Sequence, residues 1–371
     1  MPYDGVIMTA PETYSSPLLS RRGAAAYQGD TLLDVQGVAW HYGAPLVEQR
    51  YAETGSAIID RSQRRVIAVS GPEAPAFLNS LLSQKLDDVA SGFSASALDM
   101  DVQGRILHAA DVTRSGDVFY LDVPAAQFAS FLDFLQKMIF WSQVTVEEAD
   151  LAIVTVLGAP LSLDPAADVA FTRTVSSPSV LAAPHQDFAV PRSALAATVE
   201  ALEAQGGKLA GLMAYTAERV RAREPELAVD LDDKAIAHEV PQWIGRGDRP
   251  GAVHLNKGCY RGQETVARVE NIGRSPRLLV MLYLDGSAPS RPEPGAEVTV
   301  GGRRIGRLGT VIDDCDYGPI ALALIKRSAL TDPATNFVIG DTAASLEADS
   351  LPTDEGPKAG RAAQDKLRGR E

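Results

Sequence analysis

The stretch Lys257-Gly258-Cys259-Tyr260-Arg261-Gly262-Gln263-Glu264 is the most telling in this chain. It sets one of only two cysteines between two cations and two glycines. Lys257 and Arg261 are expected to favour the thiolate of Cys259 over its thiol, and Gly258 and Gly262 let backbone approach a ligand or adopt φ > 0. The octapeptide therefore reads as a functional loop with Cys259 as its reactive group. A tight turn into a helix around a small buried cysteine is the other reading of the same spacing. Glu264 and Arg268 stand four apart, so a helix opening here would hold them as a stabilising pair.

Downstream, Leu278 to Ile325 carries short apolar runs broken by Pro-Gly, Gly-Gly and Tyr-Gly-Pro, the pattern of a small β-barrel. Upstream, Arg64 to Val69 reads as a strand, and Gly71-Pro72-Glu73 turns into a helix bearing Ala76, Phe77, Leu78, Leu81 and Leu82. Ala97 to Met100, Ile106 to Val112 and Val118 to Val123 read as strands. Pro124 opens a helix with Phe128, Phe131, Leu132, Leu135 and Met138 at helical spacing. Val144 to Val146 and Leu151 to Leu157 are further strands, and Ser193 to Gln205 a helix ended by Gly206-Gly207. Strands and helices alternate with hairpins mixed in, which favours α+β layers over a doubly wound parallel sheet.

A chain of 371 residues, 45% hydrophobic, buries a large core and is long enough for two or three domains. Cys259 and Cys315 alone suggest no disulfide framework and assemble no all-cysteine metal or iron–sulfur cage, so no metal site is assigned. The net charge of −13 repels nucleic-acid phosphates and anionic lipid on average, so direct nucleic-acid binding is disfavoured. The residues after Arg21-Arg22 are too short and polar for an export signal, and no run reaches the ~18 apolar residues of a membrane span. A cytoplasmic protein without a membrane partner is expected.

The octapeptide resembles the signature of the YgfZ group of folate-binding proteins, relatives of the glycine-cleavage T-protein, an aminomethyltransferase. The resemblance runs from about Ala39 to about Gly340 through Ile59-Asp60, Val69-Ser70-Gly71, Gly104-Arg105-Ile106-Leu107 and Ala321-Leu322-Ala323. It implies three domains arranged as a T-protein-like ring with a C-terminal β-barrel. Domain one is then discontinuous, 38–60 plus 161–273, and folate-binding; domain two is 61–160 and the barrel 274–348. A mostly irregular leader, 1–36, and a disordered tail, 349–371, flank them.

The resemblance also implies tetrahydrofolate, or a related reduced folate, as ligand. Arg219, Asp230 and Glu239 lie in a segment that resembles the T-protein's pterin-binding stretch. A carboxylate accepts both the exocyclic amine and the ring N–H of a pterin, and Glu239 is the first choice for this, Asp230 the second. A polar residue on a half-exposed strand is the other reading of Glu239. Trp243 and Tyr260 offer flat faces to the pterin or benzoyl ring, or serve as core residues. Arg274 and Arg277 suit the carboxylates of a folate tail, or are solvated surface charge.

Departures limit what carries over. The T-protein's catalytic carboxylate follows a Gly-x-Ile-Leu run, where this chain has His108-Ala109. Asp111 is displaced along a strand by about 6.6 Å. T-protein-like chains have glutamate and glycine where Arg221 and Arg223 stand, and aspartate in place of Cys259. The resemblance thus implies a factor for assembly or repair of iron–sulfur clusters in client proteins. A folate-dependent aminomethyltransferase or demethylase and a non-catalytic scaffold are the alternatives.

Overall fold

A computed structural model of the protein describes residues 14–32, 34–175, 179, 181–247, 249–332 and 334–352. Two compact units emerge: residues 1–78, 86–95 and 110–222, and residues 79–85, 96–109 and 223–371. The division falls inside the strands Ser94–Met100 and Ile106–Ser115 and inside the helix Ala74–Leu81.

The first unit is built on a five-stranded sheet in the order Phe171–Val175, His185–Pro191, Leu151–Gly158, Ser56–Asp60, Lys208–Ala210. Its last pair is parallel and the others antiparallel. One face carries Ile58, Val154, Val156, Phe188 and Val190, which meet Leu195, Val199 and Leu202 of the helix Leu195–Glu203. Leu18 joins this cluster at 1% exposure. The described part of the leader is therefore anchored: Ser16 caps the Pro17–Ser20 turn and donates to Asp60, and Ala25–Ala26 pairs with Ala39–His41. Residues 1–13 lie outside the described residues.

The opposite face begins apolar at Ile153, Phe171 and Ala189, and then turns to buried charge. Arg173 and Asp187 are cross-strand neighbours, as are Asp187 and Thr155. Arg173 gives Asp187 an Nε bond of 2.7 Å and also reaches Asp122, to which Arg64 donates as well. Asp34 takes Arg64 Nη1 at 3.1 Å, and Arg61 lies 3.8 Å from Asp187. Asp111 belongs here, 3.6 Å from Arg64 and 3.8 Å from Arg173. In the same unit residues 111–115 pair with the strand Val118–Val123, which continues through Arg65–Ser70 to Thr145–Ala149. The helix Ala125–Lys137 buries Phe128, Phe131 and Leu135, three of the five apolar positions read from its spacing.

The second unit contains a closed six-stranded barrel in the order Arg277–Leu284, Gly318–Lys326, Arg303–Asp314, Glu297–Val300, Phe337–Ile339, Thr342–Leu346. Gly301 and Gly302 both take φ > 0 and join two of these strands by the tight turn such pairs favour. Val280, Leu282, Leu308, Ala323, Ile325 and Phe337 fill the interior. The start of the expected disordered tail is ordered: Ser350 Oγ accepts from Met281 N at 3.0 Å and Ser350 is buried. Residues 353–371 lie outside the described residues. The fold is thus mixed α/β with a C-terminal barrel, as expected. No helix among the described residues is long and apolar enough to cross a membrane.

Candidate functional site

The signature loop lies wholly in the second unit, and it is held by what precedes it. Gln84 Nε2 donates to Gly251 O at 3.0 Å, Ser83 Oγ to Ala252 O at 2.7 Å, and His254 N to Ser83 O at 3.0 Å. Lys257 then turns its ammonium onto the carbonyls of Asn79 at 2.6 Å, Gln84 at 3.0 Å and Leu82. These oxygens lie at and just after the C-terminal end of the helix Ala74–Leu81, where a cation also meets the negative end of the helix dipole. Lys257 also lies 4.7 Å from the centre of the Tyr260 ring, whose hydroxyl burial pushes up to about 12.

Arg261 is likewise engaged, with Asp99. The sequence reading set both cations beside the thiol; each instead has a firm partner of its own, because a side chain bonds the nearest unsatisfied acceptors rather than its neighbour in sequence. Cys259 itself is exposed.

The two glycines also separate. Gly262 is the N-cap of the helix Gln263–Asn271 at φ 83°, ψ −1°. A β-carbon there would lie 2.8 Å from Asp101 O and 2.9 Å from Gly104 Cα. Gly104, at φ 78°, has Thr265 Cβ at 2.7 Å from its own would-be β-carbon. The turn after Met100 and the start of this helix thus cross glycine on glycine, and Thr265 Oγ1 seals the crossing on Gln103 O at 2.7 Å. Gly258 has neither a positive φ nor a neighbour within 4 Å of a would-be β-carbon. Gln263 Oε1 accepts from Tyr260 N at 3.1 Å, and Glu264 is exposed on the first turn.

Asp99, which the sequence reading missed, is fully buried and shared by Arg261 and His108, whose Nδ1 donates to it at 2.8 Å. The one signal was an acid inside the apolar strand segment Leu98-Asp99-Met100. It supplies a carboxylate next to the position where the T-protein's acid is lacking, from a neighbouring strand.

Of the residues expected to hold folate, Asp230, Glu239, Trp243, Arg274 and Arg277 are in the second unit and Arg219 in the first. Glu239 is 1% exposed, and the Arg277 fork takes both its oxygens, Nε at 2.7 Å and Nη2 at 2.8 Å. Ile236 N adds a third bond at 3.3 Å. Asp232, also missed, accepts from Nη1 and Nη2 of Arg277. Burial opposes the charge of Arg277, but Asp232 and Glu239 more than offset it and hold its pKa above the usual arginine range. Asp230 accepts from Glu226 N at 2.7 Å and Thr310 N at 2.6 Å, tying its short helix to the barrel. Both carboxylates thus already accept hydrogen bonds within the fold, so a pterin would have to share them with these partners. Trp243 is 8% exposed, and Arg274 lines a separate cavity. Removing Glu239 should destabilise the protein rather than merely weaken a ligand: Glu239→Ala is expected to cost about 1.5–3 kcal/mol in urea unfolding, with Glu239→Gln costing less. A loss below ~0.5 kcal/mol would show the Arg277 pair to be dispensable.

No protein-family model matches the chain. A chloroplastic protein of Arabidopsis thaliana that carries a transferase name is 24% identical over 300 residues, 75% of this chain and 67% of that one. A mitochondrial iron–sulfur cluster assembly factor IBA57 homolog of Pyricularia oryzae is 25% identical over 315 residues, 76% of this chain and 74% of its own. The tRNA-modifying protein YgfZ of Escherichia coli is 32% identical over 105 residues, 28% of this chain and 31% of its own. Among solved structures, glycine cleavage system aminomethyltransferase T of Bartonella henselae superposes with a TM-score of 0.73 at 19% identity, covering 89% of this chain and 94% of that one.

Proposed function

Since this chain is a YgfZ- and IBA57-like protein of the glycine-cleavage T-protein superfamily, we infer that it supports the assembly or repair of iron–sulfur clusters in client proteins, with Cys259 as its working group. The observation that carries this reading is the construction of the loop. Lys257, Arg261 and Gly262 are fixed to the body of the unit, while Cys259 between them is exposed. A free thiol at the surface of a rigidly held loop is suited to meeting another macromolecule's sulfur or cluster.

A reduced folate is the proposed ligand, on the strength of the T-protein likeness in sequence. Glu239 and Asp230 stay the first groups to test as its partners, although both already accept hydrogen bonds from the protein, and no chemical step is assigned to it. A cytoplasmic setting belongs to the same proposal; two of the relatives are named for a chloroplast and a mitochondrion.

The test is complementation. Deleting the gene is expected to lower the activity of iron–sulfur enzymes under oxidative conditions, and a Cys259→Ala copy should restore almost none of it. Thermal melting of the purified variant accompanies the assay, because alanine keeps a small apolar side chain at an exposed position and should leave folding intact. Full rescue by a normally folded Cys259→Ala protein would make the thiol incidental and favour a scaffold.

The Asp99–His108 pair favours a second reading, a folate-dependent transferase. Turnover of a methylated amine with tetrahydrofolate, abolished in His108→Ala, would establish it.

A further inference from the structure

Five arginines of the second unit, Arg223, Arg246, Arg249, Arg274 and Arg327, line one cavity of about 280 Å³ together with His238. This is a local reversal in a chain whose net charge is −13. Asp349 is the acidic residue of that lining. Two glutamates outside the lining pair with its cations: Glu270 takes the Arg246 fork at 2.9 and 2.8 Å and His238 at 3.1 Å, and Glu347 lies 3.8 Å from Arg223. Burial, and then the charge of Arg246, lower the pKa of Arg249. The gathered cations are held at some electrostatic cost, which an anion would relieve.

Arg223 adds an independent observation. It is the first residue after the helix Leu212–Ala222 and takes φ 58°, a left-handed conformation in which glycine is usual. Gln242 donates to its carbonyl, and its own Nη1 donates to Asp349 O at 3.1 Å, so its backbone and its guanidinium are each held. Burial lowers its pKa. An arginine kept where glycine would be relaxed, with its guanidinium on the wall of a cationic cavity, is the kind of strain that marks a binding position.

We propose that this cavity binds a di- or triphosphate group. Guanidinium forks match phosphate and carboxylate oxygens alike, but the cavity is small and its cations are many. A diphosphate concentrates several charges and seven oxygens in a few ångströms, whereas carboxylates bring two oxygens each and need carbon spacers between them. The site does not rest on the folate reading, although Arg274 is claimed by both.

Calorimetry on the full chain with inorganic tripolyphosphate, pyrophosphate, citrate and tri-γ-glutamate tests this. Tripolyphosphate is expected to bind tightest, with affinity falling as salt rises. Arg223→Gly removes one guanidinium while relaxing the backbone. It is expected to weaken tripolyphosphate at least about tenfold, with a thermal midpoint no lower than the parent's. Arg249→Gln should weaken it severalfold. Absence of phosphate binding, or equal affinity in Arg223→Gly, would overturn the site. Tighter binding of tri-γ-glutamate or citrate would overturn the phosphate assignment and give the cavity to oligocarboxylates.

Discussion

Asp187→Ala is expected to lose about 3–5 kcal/mol of stability, the cost of taking one carboxylate out of a buried ion network. Asp187 is fully buried and answers Arg173, Arg61 and the Thr155 hydroxyl, which donates to it at 2.5 Å. Its loss takes one of two bonded carboxylates from Arg173, leaving Asp122 and the more distant Asp111, and removes a carboxylate partner of Arg61. Asp187→Asn, which keeps the shape and one acceptor, should lose less, and urea unfolding of the pair separates charge from packing. A loss under ~1 kcal/mol in the alanine variant would mean that the network is loosely held.

The same residue sets a pH dependence. Burial pushes the Asp187 carboxyl up, but Arg173, His185, Arg61 and Thr155 outweigh it and hold it well below the usual range. Asp122 is held low in the same way by Arg173 and Arg64. A carboxylate whose folded pKa is depressed contributes stability above its unfolded value of about 3.9 and loses it as pH falls through the folded value. The difference in stability between parent and Asp187→Ala should therefore be full near neutrality and narrow below about pH 4.

Gly262→Ala is expected to cost about 2–4 kcal/mol, combining the left-handed backbone with a forced separation of packed chain. The new methyl would press on Asp101 O and Gly104 Cα, both backbone, so no side chain can swing aside to relieve them. Gly258→Ala, four residues earlier, meets nothing within 4 Å and should stay within about 0.5 kcal/mol of the parent. Thermal melts of the two variants side by side check this. Equal melting would mean that the glycine crossing is not what fixes the loop. The contrast also bears on function, because Gly262→Ala should disturb the Arg261–Asp99 bond beside Cys259 in the chain, whereas Gly258→Ala should not.

Several elements were legible in the sequence because their signals are local. The helix after Pro124 follows from the spacing of Phe128, Phe131 and Leu135, and the barrel from apolar runs cut by turn residues. The octapeptide was legible as a loop entering a helix, since Gly262 marks a left-handed N-cap and Gln263 begins the first turn. Cys259 is exposed, so the reading of it as a small buried residue does not hold.

Which charges meet was settled only in the folded chain. The order of residues places Lys257 and Arg261 on either side of a cysteine; the fold sends Lys257 to the carbonyls of residues 79, 82 and 84 and Arg261 to Asp99. Glu239 looked open to a ligand until Arg277, 38 positions away, took both its oxygens. The partnership of Arg173 with Asp187 depends on strand register, and that with Asp122 on a contact between residues 51 positions apart. Periodicity records which face of an element is buried, because burial repeats with the backbone. Ion-pair partners carry no such period: a long charged side chain reaches whatever acceptor the packed chain brings within a few ångströms, and that is set only once the sheet registers and the glycine crossing are formed.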